Sequence, residues 1–406
     1  MLSGSLHSRW HHQQRRAAAA LAFVLVAGAF AACGSGTGTA DALRTPSPTA
    51  TASASPIPTV EPPPPAPPGV YFSADGTNSA TVYALEPATG KVRWTRPLTQ
   101  DSSVRIASTG DLMLAVDFPG KITAVRMEDG TVLWSHSGES GRRYAVAKPP
   151  VADRGILFVS SDGDSYTHGY LDAYRAADGV RLWEHDEGLL SHVILGAANG
   201  VLYANTSNEV EALRGTDGTT VWQANVTTAG APPIVAGDAV YLNSSGEVYA
   251  LSTATGAKLW HYIPPMLASP SDVLASAGGG LVYAGNTLRL NALHMADGTL
   301  AWHNDYQHVV QVPSYANGVL YVSVSAGITS PLYALNPSDG SQIWSAQLSG
   351  NSSWPAVLTG GTLYLSRSLA ATDSPAGYLY ALNPASGTVL WQYKQSGVDF
   401  TNAIVP

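Results

Sequence analysis

The 406-residue chain has little cysteine and little charge. It contains a single Cys, and only 12% of its residues are Asp, Glu, Lys or Arg. One Cys excludes an intramolecular disulfide, and the shortage of Lys and Glu argues against a helical bundle. The formal net charge of −8 argues against the basic face that nucleic-acid binding needs, so we expect no nucleic-acid partner.

Glycine, proline and aromatic residues are abundant instead. The chain holds 40 Gly, 27 Pro, 19 Tyr and 10 Trp. Aromatic residues favour strands, and Gly and Pro favour tight turns. The composition therefore predicts an all-β protein of many short strands, which can run to this length as one domain.

The N-terminus has the pattern of an export signal. Arg9, Arg15 and Arg16 precede an uncharged apolar run over residues 17–32 that ends in Ala-Ala before Cys33. The run is short for a membrane span and typical of a signal peptide. The segment 1–33 resembles a bacterial lipoprotein signal, which implies that Cys33 is lipidated as the first mature residue. An ordinary cleaved signal, an uncleaved anchor and a twin-arginine export route remain alternatives.

Residues 34–68 consist mainly of Ser, Thr, Ala and Pro and end in a proline-rich stretch. Such a segment lacks the apolar side chains that offset the entropy of ordering. We expect a disordered, partly polyproline tether between the anchor and a folded domain over 69–406.

A repeat of Ala, Gly and Trp at constant spacing is the strongest signal in the sequence. Eight times a segment ends in Trp, with Gly four residues and Ala ten residues before it. The eight Trp residues are Trp94, Trp134, Trp183, Trp222, Trp260, Trp302, Trp344 and Trp391. Asp, Thr or Ser precedes each Gly, which predicts a hairpin turn with positive φ at the Gly. Two further β-rich runs precede each hairpin, so each repeat predicts a four-stranded propeller blade.

One blade cannot bury both faces of its sheet, so each must stack on its neighbours. We expect each repeat Trp to dock on the adjacent blade, with the Ala providing room. The motif Ala-Leu-x-x-x-[Thr/Asp]-Gly-x-x-x-Trp resembles the tryptophan-docking repeat of the pyrroloquinoline-quinone-like (PQQ-like) propeller family. The resemblance covers about residues 69–406 and implies an eight-bladed β-propeller. That family includes quinoprotein alcohol dehydrogenases and the envelope lipoprotein BamB, so the motif does not by itself define a function.

The two ends of the repeat array predict how the ring closes. The first run, Gly69–Phe72, matches the second strand of a blade, and no first strand precedes it. After Trp391 the chain continues to Pro406, and residues 402–405 lie where other repeats have a first strand. We therefore expect the C-terminal strand to pair with the N-terminal blade.

Four insertions between strands two and three predict a functional face. They occupy residues 73–81, 161–169, 325–331 and 367–377, and three of them fall in the adjacent blades seven, eight and one. Loops on a rigid scaffold commonly carry function, so this arc is the expected partner surface, although drift in loop length is an alternative. The candidate contact residues are Asp75, Asn78 and Asp373, with the basic cluster Arg142, Arg143 and Tyr144 after blade two.

Evidence for catalysis is weaker. The resemblance implies that a quinoprotein would use an Asp base, a calcium ion and commonly a disulfide of adjacent cysteines, and the fold has no Cys. Asp162-Gly163-Asp164 and the segment 75–78 lack the oxygen ligands of a calcium loop. His185 with His192, and His303 with His308, fall short of a zinc pattern. We expect no cofactor and no metal, with PQQ and calcium as the alternative.

These observations predict a lipid-anchored propeller on the extracytoplasmic side of the cell membrane or outer envelope. The expected function is a BamB-like scaffold that binds another envelope protein, with membrane contact through the lipid anchor. The alternative is a PQQ-dependent alcohol or sugar dehydrogenase.

Overall fold

The computed structural model describes fifteen segments of the chain and one further residue. They are residues 64–76, 79–99, 104–117, 120–137, 142–143, 149–163, 169–187, 194–205, 209–226, 232–244, 247–264, 273–285, 288–311, 313–369, 375–401 and 403. Strands and turns account for the regular structure of these residues, and none of them forms a helix that could cross a bilayer. Cys33 and residues 34–63 lie outside the described residues.

The described segments form 35 β-strands. The first eighteen are β1 (Val70–Gly76), β2 (Ser79–Leu85), β3 (Val92–Thr99), β4 (Val104–Thr109), β5 (Leu112–Asp117), β6 (Ile122–Arg126), β7 (Val132–His136), β8 (Arg142–Arg143), β9 (Val151–Asp153), β10 (Ile156–Gly163), β11 (Gly169–Arg175), β12 (Arg181–Asp186), β13 (Ile194–Ala198), β14 (Val201–Asn205), β15 (Val210–Arg214), β16 (Thr220–Ala224), β17 (Ile234–Ala236) and β18 (Ala239–Ser244). The remaining strands are β19 (Glu247–Ser252), β20 (Lys258–Tyr262), β21 (Val273–Gly278), β22 (Leu281–Gly285), β23 (Arg289–His294), β24 (Leu300–Asp305), β25 (Val309–Val310), β26 (Ser314–Ala316), β27 (Val319–Ser325), β28 (Thr329–Leu335), β29 (Gln342–Ser349), β30 (Ser352–Ser353), β31 (Val357–Thr359), β32 (Thr362–Leu369), β33 (Ala376–Leu382), β34 (Val389–Ser396) and β35 (Val398–Phe400).

The strands assemble into eight antiparallel sheets, which we call blades 1 to 8. In order from the first strand to the fourth, the blades are β35-β1-β2-β3, β4-β5-β6-β7, β8/β9-β10-β11-β12, β13-β14-β15-β16, β17-β18-β19-β20, β21-β22-β23-β24, β25/β26-β27-β28-β29 and β30/β31-β32-β33-β34. In blades 3, 7 and 8 the first strand is interrupted, and both of its halves pair with the second strand.

The first strands form the inner ring. Strand β4 contacts β9, and the contacts continue through β13, β17, β21, β26 and β31. Because strands alternate in direction, the turns between strands two and three share one face with the blade connectors, which we call the connector face. The predicted eight-bladed β-propeller is confirmed.

The hydrophobic core is divided among the junctions between blades. Eight clusters of buried apolar side chains occur, and each draws its members from two consecutive blades. Between blades 4 and 5, for example, Tyr203 and Val210 pack with Val240 and Leu242. Burial therefore stabilises the stacking of blades, as the repeat predicts.

Each repeat Trp lies against the hairpin Gly of the next blade. The indole Nε1 donates a hydrogen bond to a backbone oxygen in that hairpin over 2.7–3.1 Å, and the accepting residues are Met127, Ala176, Gly215, Thr253, Met295, Pro337, Pro384 and Pro87. A Cβ added to Gly298 would lie 2.5 Å from the Trp260 ring, and the other seven hairpin glycines are within 2.8 Å of their indoles by the same measure. The Gly therefore leaves the space that the indole fills.

The repeat Ala lies directly opposite the Trp in the same blade. Ala250 and Trp260 are register partners on neighbouring strands, and the ladder shifts by a bulge immediately after the Ala. The same pairing and bulge occur in all eight blades. Because the Ala side chain is small, it leaves room for the indole beside it, which is the role predicted from the repeat.

The C-terminal strand completes blade 1. Strand β35 pairs antiparallel with β1, with Ala74 opposite Phe400 and Gly76 opposite Val398. Ring closure by the chain ends is confirmed, but the pairing begins at Val398, four residues before the predicted segment. Of residues 402–405 the structure describes only Ala403, which is buried in the cluster between blades 8 and 1.

Substitution of Gly298 by Ala should destabilise the protein through the Trp260 contact. Gly318 is the matched control, because its φ of +79° is close to the +72° of Gly298 and nothing lies within 4 Å of an added Cβ. Gly318→Ala should lower the free energy of unfolding by about 1 kcal/mol through backbone strain. Gly298→Ala should lower it by about 1–3 kcal/mol more, because the indole must move. The free energies of unfolding are measured by chemical denaturation. Equal losses for Gly298→Ala and Gly318→Ala would show that the contact with Trp260 does not contribute to stability.

Candidate functional site

Four blades carry longer hairpins on the connector face than the others. The second strands of blades 1, 3, 7 and 8 have 7, 8, 7 and 8 residues. Those of blades 2, 4, 5 and 6 have 6, 5, 6 and 5 residues. Within the described residues, part of each predicted insertion lies in a strand: residues 73–76 and 79–81 in blade 1, 161–163 and 169 in blade 3, 325 and 329–331 in blade 7, and 367–369 and 376–377 in blade 8. Residues 77–78, 164–168 and 370–374 lie outside the described residues. Pairing between the two strands holds the base of each hairpin in place.

Three of these blades are neighbours in the ring. In blades 7, 8 and 1 the fourth strands β29, β34 and β3 also have 8 residues, against 5 or 6 in the other blades. The hairpins β27–β28, β32–β33 and β1–β2 thus rise together on one side of the connector face. We call these three hairpins the raised arc.

Exposed apolar side chains lie on and beside the raised arc. Ile328, in the turn between β27 and β28, is 71% exposed, the largest value among the exposed large apolar side chains of the described residues. Leu288, at the equivalent turn of the neighbouring blade 6, is 50% exposed. Both aliphatic side chains are accessible from the connector face.

A polar network fixes the arc where the ring closes. The hydroxyl oxygens of Ser73 and Thr401 lie 2.7 Å apart, and the Thr401 N–H donates to the Ser73 carbonyl over 2.9 Å. Ser366 of blade 8 donates to the Thr401 carbonyl over 2.9 Å, and Ser73 donates to the Val104 carbonyl of blade 2 over 3.1 Å. Blades 8, 1 and 2 are therefore joined through buried hydrogen bonds, which add directional constraint to the apolar packing.

Asp75 is held inside this junction. Its Oδ2 accepts from the Arg105 guanidinium over 3.0 Å, and its Oδ1 accepts from the Val104 N–H over 3.1 Å. The Asp75 side chain is 11% exposed. Burial raises its pKa to about 6, although the positive charge of Arg105 acts to lower it. Arg105 also lies over the ring of Trp354, 5.8 Å from its centroid, and the Trp354 indole donates to the Phe400 carbonyl over 2.9 Å.

Arg367 supports the hairpin of blade 8 from within. Its side chain is 1% exposed, and its guanidinium donates to the carbonyls of Ser330 over 2.8 Å and Leu348 over 3.1 Å in blade 7. Burial lowers its pKa to about 10. Arg367 was predicted to begin a loop, and this role was not predicted. It alternates with Leu363 and Leu365 along β32, so the three side chains share the side of the strand that packs on blade 7.

The structure distributes the residues of the predicted partner surface as follows. Asp75 faces into the junction of blades 1 and 2 and binds Arg105. Arg142 and Arg143 form β8, which pairs with Asp162 and Gly163 as half of the first strand of blade 3. Asn78, Tyr144 and Asp373 lie outside the described residues, as does Asp164 of the weak calcium motif.

The residues at the junction do not fit a quinone-cofactor site. Such a site would pair its carboxylate with a calcium ion, whereas the Asp75 carboxylate is paired with the Arg105 guanidinium and also accepts from the Val104 N–H. Adjacent cysteines are excluded because the only Cys is Cys33. We therefore derive no oxidation step for this site.

The raised pKa of Asp75 predicts a pH dependence of stability. The folded state holds the carboxyl proton up to about pH 6, whereas the unfolded state releases it near pH 3.8. The contribution of Asp75 is therefore fully present below that lower pH and is lost as pH rises through about 6. Asp75→Asn should flatten the fall in the urea midpoint between pH 4 and 6.5 compared with the wild type. Identical pH profiles for wild type and Asp75→Asn would contradict the assignment.

Comparison with solved structures shows the fold. BamB from Moraxella catarrhalis has 16% identity and a TM-score of 0.57, over 75% of this chain and 90% of that one. Quinohemoprotein alcohol dehydrogenase from Comamonas testosteroni has 15% identity and a TM-score of 0.60, over 86% of this chain and 74% of that one. The computationally designed Ika8 protein has 11% identity and a TM-score of 0.58, over 84% of this chain and 99% of that one. At these identities the likeness shows the propeller architecture alone.

Sequence comparison is more specific. No curated protein sequence matches the chain significantly. The family model described as outer membrane protein assembly factor BamB matches four overlapping segments, residues 49–166, 78–242, 167–308 and 244–405. These matches span the whole repeat array, and the chain therefore belongs to the PQQ-like β-propeller family of outer membrane protein assembly factor BamB.

Proposed function

We propose that the protein is a lipid-anchored, extracytoplasmic scaffold of the cell envelope whose raised arc binds another protein. The observation that carries this proposal is the raised arc itself. Three neighbouring blades share longer hairpins, and one of them presents Ile328 with 71% exposure. Closure of the ring alone does not require three neighbouring blades to have longer hairpins than the others.

The raised arc has the properties of a preorganised interface. The Arg367 guanidinium and the Ser73–Thr401 network fix its hairpins from within, so little conformational entropy is lost when a partner binds. Burial of an exposed Ile side chain contributes about 1.5–3 kcal/mol, which is the size of an interface hot spot. Family membership supports the same class of function, since the matching family is described as an outer membrane assembly factor.

The N-terminal sequence supports attachment to a membrane by lipid. Cys33 follows a signal-like apolar run, and residues 34–68 provide a Pro-rich tether. In a polyproline conformation such a tether would extend on the order of 100 Å. The propeller could then reach a partner well above the membrane that holds its anchor.

A photo-crosslinking amino acid at position 328 should form a discrete adduct with an envelope protein in the native host. Two control positions separate the raised arc from other surfaces: Leu390 on an outer strand, which is 56% exposed, and Asp297 in a hairpin of the opposite face. Ile328→Asp should reduce co-purification of the crosslinked protein, whereas Leu390→Asp should not. Adducts absent from position 328, or equal at all three positions, would contradict the proposal.

Oxidoreductase activity would also contradict it. Purified protein should neither bind PQQ stoichiometrically in the presence of Ca²⁺ nor reduce a dye with alcohol or sugar substrates. Stoichiometric binding with turnover would establish the dehydrogenase alternative and exclude a scaffold without catalysis.

Cys33→Ser should release the protein from membranes. Lipid attached at this residue provides the buried acyl chains that hold a protein at a bilayer, and no other Cys can replace it. Wild-type protein should incorporate labelled fatty acid and stay in the membrane fraction after an alkaline wash, and the variant should do neither. The variant's retention in the washed membrane, or labelling without Cys33, would contradict a lipid anchor.

A further inference from the structure

A cluster of His185, Glu187 and Glu211 lies where blade 3 meets blade 4. One ligand atom from each residue lies within 4.8 Å of the others. His185 and Glu187 follow Trp183 at alternating positions, and the Trp183 indole docks on blade 4. Glu211 lies on β15 of blade 4, so the cluster joins the two blades beside the Trp contact.

Glu187 occupies a position that is apolar in several other blades. The residue four places after the repeat Trp is Leu98, Val226, Pro264, Tyr306 or Leu348 in blades 1, 4, 5, 6 and 7. Two of these, Val226 and Leu348, are 8% and 3% exposed. Blade 3 thus has a carboxylate at a position where several other blades of the chain have an apolar group.

The Glu187 carboxylate is buried without a hydrogen-bonding partner among the described residues. Its side chain is 7% exposed, and the His185 Nδ1 lies 3.9 Å from its Oε1. That distance is too long for a hydrogen bond. A carboxylate with so little access to water is stabilised by a bound cation.

The surrounding charges are nearly all negative. The groups that act electrostatically on the Glu187 carboxylate are Glu211, Glu209 and Asp186, all of them acidic. The Glu211 carboxylate accepts a hydrogen bond from the Gln223 side chain over 2.5 Å. His185 is the single basic group among the charges that act on these two carboxyls within the described part of the chain.

We propose that His185, Glu187 and Glu211 bind one divalent transition-metal cation of the zinc class, which links blade 3 to blade 4. One imidazole nitrogen and two carboxylate oxygens form a donor set that zinc accepts, with water as a fourth ligand. Calcium and magnesium prefer oxygen donors alone, so the imidazole disfavours them. Ligand atoms in a tetrahedral zinc site are about 3.3 Å apart, so the side chains need to move by about 1 Å or slightly more.

Zinc titration of metal-free protein without an affinity tag tests this proposal. Isothermal titration calorimetry should show one saturable equivalent of Zn²⁺, and the melting temperature should rise with Zn²⁺ concentration because the cation binds the folded state. Co²⁺ should give the visible absorption of a four- or five-coordinate site. Ca²⁺ at the same concentration should leave the melting temperature unchanged.

Variants separate this site from adventitious binding. Glu187→Gln and His185→Ala should each weaken Zn²⁺ binding by about tenfold or more. His303→Ala is the matched control, because His303 lies at the same 3.9 Å from the carboxylate of Asp305 and belongs to no three-ligand cluster of the described residues. It should bind Zn²⁺ like the wild type.

Melting of the variants without metal shows whether weaker Zn²⁺ binding results from the loss of a metal ligand or from unfolding. Without metal, Glu187→Gln should melt at or above the wild-type temperature, because it removes a buried charge. His185 is one-third exposed, so His185→Ala should stay folded even if the Glu187 variant does not. Absence of one-equivalent binding, unchanged affinity in both variants, or tighter binding of Ca²⁺ than Zn²⁺ would each overturn the proposal. None of these outcomes depends on a protein partner at the raised arc.

Discussion

The contact between an indole and the hairpin glycine of the next blade organises this protein. It requires a Gly for two reasons, since the turn has a φ near +70° and a Cβ there would overlap the ring. Each blade supplies the Trp for its successor, so stability resides at eight junctions. The last junction joins Trp391 to the Pro87 carbonyl, 304 residues away. Because this pairing and the β35–β1 pairing both need the chain ends, we expect the ring to form completely or lose much of its stability.

A frame held in this way allows individual blades to differ. Blades 2, 4, 5 and 6 keep short hairpins, whereas blades 7, 8 and 1 extend theirs into the raised arc. The extension brings buried polar groups with it, Arg367 in blade 8 and Ser73 in blade 1, and both donate hydrogen bonds to carbonyl groups of a neighbouring blade. The region that differs most from the repeat is thereby also well supported, which suits a binding surface on a rigid scaffold.

The repeat made the fold predictable from sequence, because Ala, Gly and Trp at constant spacing report contacts that recur at every junction. The site was less predictable. Insertion lengths identified the blades whose described strands are longer, but they assigned Arg367 to a loop, and the structure has it in β32. His185 was set aside for lack of a ligand partner, because Glu211 lies 26 positions away on another blade. Contacts that occur once, between distant residues, leave no periodic signal.

The double-mutant cycle between Trp260 and Gly298 tests the central claim most directly. If the glycine is required because the indole occupies its space, Gly298→Ala should lose most of its excess destabilisation once Trp260 is replaced by Ala. Only the strain of the left-handed turn, about 1 kcal/mol, should then remain. If the losses in free energy of unfolding caused by the two single substitutions instead add up in the double mutant, the glycine is required only for the turn conformation. That result would contradict the account.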